Sequence, residues 1–186
     1  MSSDMHEDTD ECIAEKVQQG DVEAFGVLMR RYEQRLVRYA TRFLLDQDIV
    51  SDAVQETFIQ AYRNIQSFDI SRSFSPWIYR IAHNECMTAL RKRKRSVPIL
   101  DFDTLITIPA PEDMVEEADR ARMKELVETY LAKLPPAYRE VLTLFYLEDM
   151  EYKIIAEVLR IPLGTVGIRL RRARRALARL MEPHVQ

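Results

Sequence analysis

The side chains that could do acid-base, nucleophilic or metal chemistry are few and poorly placed for it. His6, His83 and His184 are the three histidines, so there is little material for proton transfer near neutral pH. Asp52 and Glu56 stand one helical turn apart with Gln55 beside them, the nearest approach to a paired-carboxylate site. Two carboxylates at that spacing form either a solvated helix face or a polar surface on which a protein docks. His83 and Cys86 are three apart and lack the further ligands that a metal requires. No phosphate loop and no nucleophile with its base is present. The chain therefore reads as a non-enzyme with no catalytic residues, no metal and no cofactor. Cationic chemistry remains. Arg169, Arg171, Arg172, Arg174, Arg175 and Arg179 fall in a segment from Leu163 to Met181 that contains no Asp or Glu. An ordinary solvated face mixes signs, whereas six uncompensated guanidiniums suit the phosphates and base edges of a duplex groove.

The element that must carry those arginines is a helix. Val166, Leu170, Ala173, Leu177 and Leu180 recur at three- and four-residue steps and predict an inward apolar stripe. A tight turn at Ile161-Pro162-Leu163-Gly164 separates it from a short apolar helix, the pattern of a helix-turn-helix. Four glycines in 186 residues and helical periodicity nearly everywhere predict an all-α protein. Asp21 is a cap for a helix whose Phe25, Leu28, Met29, Tyr32, Leu36, Tyr39, Ala40 and Phe43 share one face. A break at 46–48 precedes a second helix, roughly Val50 to Ile65, with Val54, Phe58, Ala61, Tyr62 and Ile65 inward. After a polar loop from Gln66 to Ser75, Ser75 as cap and Pro76 at the first helical position start a third, which buries Trp77, Ile78, Ile81 and Ala82.

Charge divides the chain. The net charge of -3 hides alternating blocks: Asp4, Glu7, Asp8, Asp10, Glu11 and Glu15 against Lys16, then five consecutive bases from Arg91 to Arg95, then seven acids and no base from Ser96 to Asp119. That last stretch also loses periodicity and gains Pro98, Pro109 and Pro111, which marks a linker. The expected organisation is an acidic tail over 1–11, a helical domain over 12–95, a flexible acidic linker over 96–119 and a helix-turn-helix domain over 120–186. Cys12 and Cys86 are too few for a disulfide framework and suit a reduced cytoplasmic setting. No basic, apolar leader and no long uncharged apolar run is seen, so neither export nor membrane insertion is expected.

Two basic elements joined by a tether suggest two contacts with nucleic acid. The first, with Arg91, Lys92 and Arg93, follows Trp77, Tyr79 and Asn84 on a helix and Phe68 and Phe74 near a loop. Rings and amides beside cations suit an opened strand, whose bases stack while its phosphates meet the bases of the chain. The same Trp77 and Phe68 also serve as core residues in a plainer reading, favoured for Trp77 and evenly balanced for Phe68.

With these pieces in place, the chain resembles the extracytoplasmic-function (ECF) group of bacterial sigma factors, which keep only the second and fourth regions of the larger sigma architecture. The resemblance rests on Gly20-Asp21 with Ala24-Phe25, on the run from Asp52 to Phe58, and on that from Phe74 to Asn84. In the second half it rests on Leu134-Pro135, the run from Tyr138 to Leu142, Tyr152, Ile155-Ala156, Gly164-Thr165-Val166, Arg169-Leu170 and the run from Arg172 to Arg174. It implies a subunit that binds core RNA polymerase, directs it to chosen promoters and helps open the duplex. Asp52, Gln55 and Glu56 would dock on the clamp helices of the beta-prime subunit. Phe68 and Asn84 match positions that capture a flipped base of the minus-ten element. The linker would thread the polymerase channel. The arginine helix, through Thr165, Ile168, Arg169, Arg171, Arg172 and Arg174, would enter the major groove of the minus-thirty-five element, its domain resting on the beta flap. A cognate anti-sigma factor is a common further partner in the family.

After Gly164-Thr165-Val166 the family often places a basic residue and a serine; Gly167 and Ile168 stand there in this chain. Gly167 costs about 1 kcal/mol of helix propensity relative to alanine, and Ile168 offers a methyl contact to thymine rather than a hydrogen bond. The alternative function is a stand-alone helix-turn-helix regulator, but such proteins usually dimerise and no dimer helix is evident.

Overall fold

The computed structural model of the chain describes residues 8–44, 46–94 and 117–181, and every regular element among them is helical. The chain divides into two units, Met1–Lys92 and Arg93–Gln186. The acidic tract expected as a linker lies outside the described residues as far as 116, and Glu117 already belongs to a helix. Of the expected acidic tail, residues 1–7 lie outside as well.

In the first unit an unanticipated helix, α1 (Asp10–Gln18), begins within the acidic block. Thr9 caps it by accepting from the Cys12 amide at 3.3 Å, and Asp10 and Glu11 in its first turn complement the helix dipole. It buries Ile13, Ala14 and Val17. Gly20, at φ 104°, makes the turn into α2 (Val22–Thr41), a conformation that glycine adopts without strain. Asp21 caps α2 by accepting from the Ala24 amide at 3.1 Å, as expected. Asp46 caps α3 (Gln47–Asn64), which ends in a 3-10 turn, Ile65–Ser67. Helix α4 spans Phe74–Lys94, so it starts one residue before Ser75; the amide of Phe74 is satisfied by Glu11 of α1 instead of by a local cap. Leu28, Leu36, Ala61, Phe74, Ile78 and Tyr79 are fully buried. Edge-on ring pairs, Tyr32 with Phe74 at 5.4 Å and Tyr39 with Tyr79 at 5.3 Å, tie α2 to α4. His83 is part of this packing, its Nδ1 3.2 Å from the Tyr39 hydroxyl.

The second unit comprises α5 (Glu117–Tyr130), a 3-10 turn, α6 (Pro136–Leu142), a π-helical stretch (Thr143–Leu147), α7 (Tyr152–Leu159) and α8 (Leu163–Met181). Val166, Leu170, Ala173 and Leu177 of α8 are buried against α6 and α7, together with Val141, Leu142, Ile155 and Val158.

Three residues assigned to inward faces lie outside instead: Met29, Tyr62 and Leu180 are each about two-fifths exposed. Met29 sits one residue round from Leu28, Tyr62 one round from Ala61, and Leu180 lies beyond Leu177, the last buried position of α8. Periodicity marks a face but not where the neighbouring helix stops covering it.

Candidate nucleic-acid interface

Helix α7 ends at Arg160, whose φ of 54° is left-handed, and the Pro162 carbonyl accepts from the Thr165 amide at 2.8 Å to start α8. The turn is therefore Arg160–Pro162, and Leu163 and Gly164 already belong to α8. The buried stripe fixes the rotation of α8. Thr165, Ile168, Arg169 and Arg172 then recur at three- and four-residue spacing on another face. Ile168 is 43% exposed and the other three are half-buried. Gly167 is not sterically required: a Cβ there would lie 3.8 Å from Tyr152 Cε2, an ordinary contact.

The arginines of α8 divide by partner. Arg174 is held within its own domain, Nε donating to the Tyr146 hydroxyl at 2.8 Å and the guanidinium 5.4 Å from the Phe145 ring centre. Arg169 feels the charge of Glu140 on α6, whose side chain is buried. Burial pushes the Glu140 carboxyl up to about 7, and the Arg169 guanidinium opposes that rise. The Arg172 side chain makes no hydrogen bond or ion pair among the described residues.

In the first unit, Phe68 is buried, its ring 5.4 Å from that of Phe74 and 5.1 Å from that of Trp77. It belongs to the core rather than to an open stacking surface, whereas Trp77 and Asn84 are half-buried. Trp77, Asn84 and Arg91 follow one another at seven-residue steps, two helical turns each, so a ring, an amide and a cation fall in line along α4. Arg91 and Lys92 are exposed; the side chain of Arg93 lies outside the described residues. On α3, Asp52 and Gln55 are exposed and Glu56 accepts from Gln60 Nε2 at 2.7 Å. Ile59 and Tyr62, both partly exposed, continue the row begun by Asp52 and Gln55; a sequence reading cannot tell such apolar positions from core. Glu85 of α4 is pushed up by burial and by the charge of Glu56. No group of acids, histidines and cysteines that could hold a metal occurs among the described residues, nor does any helix long and apolar enough to cross a membrane.

Comparison with known proteins identifies the family. Residues 28–96 match the sigma-70 region 2 family and residues 124–177 the sigma-70 region 4 family. The ECF RNA polymerase sigma-E factor of Haemophilus influenzae is 36% identical, with 94% of this chain and 96% of that protein aligned. The ECF RNA polymerase sigma factor SigW of Bacillus subtilis is also 36% identical, over 87% of this chain and 91% of that protein. Among solved structures, CnrH in complex with the cytosolic domain of CnrY superposes with a TM-score of 0.68 at 28% identity, covering 94% of this chain and 98% of CnrH. Two sigma regions in the family's order, and identity sustained over nearly the whole length, place the chain in the ECF family: it is an RNA polymerase sigma factor that directs promoter-specific initiation of transcription.

Proposed function

We propose that three surfaces divide this work. The acidic row on α3, Asp52, Gln55 and Glu56 with Ile59 and Tyr62 beside it, docks on the clamp helices of the beta-prime subunit. The loop between α3 and α4, with Asn84 and with Arg91 to Arg93, takes the minus-ten strand as it opens. Here Phe68 forms a packed floor, Asn84 receives the flipped base, and the cations meet phosphate. Helix α8 enters the major groove at the minus-thirty-five element, with Thr165, Ile168 and Arg169 toward base edges and Arg171 and Arg172 toward phosphate. Arg174 shapes the reader from within, and the same domain rests on the beta flap. The setting is the cytoplasm, and the chain acts through core polymerase without an active site of its own. An anti-sigma factor is a fitting further partner; the similar CnrH was solved with another protein, the cytosolic domain of CnrY, bound to it.

The observation that carries the reading is the alignment of Trp77, Asn84 and Arg91 along one edge of α4, next to a loop with an aromatic floor. Co-purification with core polymerase and transcription from a cognate promoter test it. Replacing Asp52, Gln55 and Glu56 together by alanine is expected to lower retention on core and leave DNA-only binding by the second domain unchanged. Undiminished retention contradicts the docking assignment.

A further inference from the structure

We infer, on the footing of the minus-ten role proposed above, that α1 is the positioning element of that loop, acting through Glu11 and Gln18. Four hydrogen bonds carry this. Gln18 Nε2 donates to the Ile65 carbonyl at 2.7 Å and to the Phe68 carbonyl at 2.8 Å. Gln66 Nε2 donates back to the Gln18 carbonyl at 3.0 Å. The amide of Phe74, the first residue of α4, donates to Glu11 Oε1 at 2.8 Å.

Two of the groups satisfied are ones that secondary structure leaves over: the Phe68 carbonyl, just past the 3-10 turn that ends α3, and the amide of Phe74, which opens α4. The Ile65 carbonyl, which already accepts from the Phe68 amide at 3.0 Å within that turn, gains Gln18 as a second donor. One primary amide supplies two N–H donors to two carbonyls. One carboxylate sits at a helix N-terminus, where its charge is favoured. Glu11 and Gln18 are seven residues apart, two full turns on the same side of α1, or about 10 Å along its axis. A single rod therefore sets the distance between the start of the loop and its end. The rod is itself fixed, because Asp10 accepts from Arg31 Nη1 at 2.7 Å and from the Tyr32 hydroxyl at 2.5 Å, both on α2. A shift at either anchor moves Phe68 against Phe74 and Trp77, and Trp77 shares its edge of α4 with Asn84. Helix α1 lies outside the matched sigma-70 region 2, which begins at residue 28.

The test uses the full-length protein bound to core polymerase and a single-stranded oligonucleotide bearing the nontemplate minus-ten sequence of a start site mapped after overexpression. Glu11→Ala and Gln18→Ala are each expected to weaken oligonucleotide binding about tenfold, the loss of one or two hydrogen bonds to charged or paired groups. Discrimination against an oligonucleotide altered at the flipped base should narrow in both. Glu11→Gln, which keeps an acceptor for the Phe74 amide, should restore most of the affinity. Affinity for core polymerase and for minus-thirty-five duplex should stay as in the parent. Oligonucleotide binding unchanged in both alanine variants, or a loss of core affinity as large as the loss of oligonucleotide affinity, overturns the proposal. Asn84→Ala run in parallel separates the two readings. If it weakens binding and the α1 variants do not, the positioning role alone is lost; if it too has no effect, the minus-ten reading of the loop falls with it.

Discussion

The Nε of Arg174 donates to the hydroxyl of Tyr146 at 2.8 Å, binding α8 to the π-helical stretch that follows α6. A π-helical turn inserts an extra residue into a helix and is retained where it places something useful. Here it sets Phe145 and Tyr146 under the guanidinium of Arg174. An arginine that the family resemblance assigns to the DNA-contacting set is thus also held by its own domain.

Arg174→Ala and Arg172→Ala should therefore differ in kind. Arg174→Ala loses a hydrogen bond and a cation-π contact, and is expected to destabilise the second domain by about 1–2 kcal/mol while leaving the salt dependence of promoter binding unchanged. Arg172→Ala should leave stability unchanged and lower the salt slope by about one if Arg172 meets a phosphate. Binding titrations at several salt concentrations and chemical denaturation check both; the reverse assignment of effects contradicts the account.

Glu140 makes the second domain sensitive to pH. Its carboxyl rises in the folded state from the ordinary 4.5 to about 7 because it is buried. The folded domain thus holds this proton more tightly than the unfolded chain does. The stabilisation is complete below the unfolded value and is lost as pH rises through about 7. Glu140→Gln, neutral throughout, should gain on the parent by up to roughly 3 kcal/mol between about pH 5 and about pH 8. Trp77 is the single tryptophan and lies in the first unit. A helical circular-dichroism transition that tryptophan fluorescence does not follow therefore belongs to the second. Parallel pH profiles for the two proteins would falsify the assignment.

Gly167→Ala is expected to raise the stability of that same domain by about 0.5–1 kcal/mol, since alanine suits a helix interior better than glycine. The added Cβ meets Tyr152 only at ordinary contact distance. A loss of stability would show that α8 needs the space that glycine leaves beside Tyr152.

Asn84→Ala should spare duplex binding by the second domain and reduce promoter opening, because the role proposed for the amide is to hold a base that has left the stack. Equal losses in binding and opening would remove the base-capture role.

What could be read from the residues in order, and what could not, follows from the range of the interactions. The inward stripe of α8, Val166 to Leu177, and the Asp21 cap of α2 depend on neighbours within a few residues, and periodicity and capping rules are statements about such neighbours. Helix α1 was hidden because the acids of residues 7–15 mask the spacing of Ile13, Ala14 and Val17. Ser75 has the residue type of a cap for α4, yet the amide that opens the helix, that of Phe74, donates to Glu11, 63 residues earlier in the chain. The burial of Phe68 and the occupation of Arg174 are likewise decided by partners that only the fold brings near.

The central claim is most directly tested by permanganate footprinting at a cognate promoter with purified core polymerase. Thymines of the minus-ten region should become reactive only when core and this protein are present together, and should lose that reactivity in the Asn84→Ala variant. Thymines that stay unreactive with both components, or that react equally without the protein, would contradict a two-module factor that selects and opens promoters for polymerase.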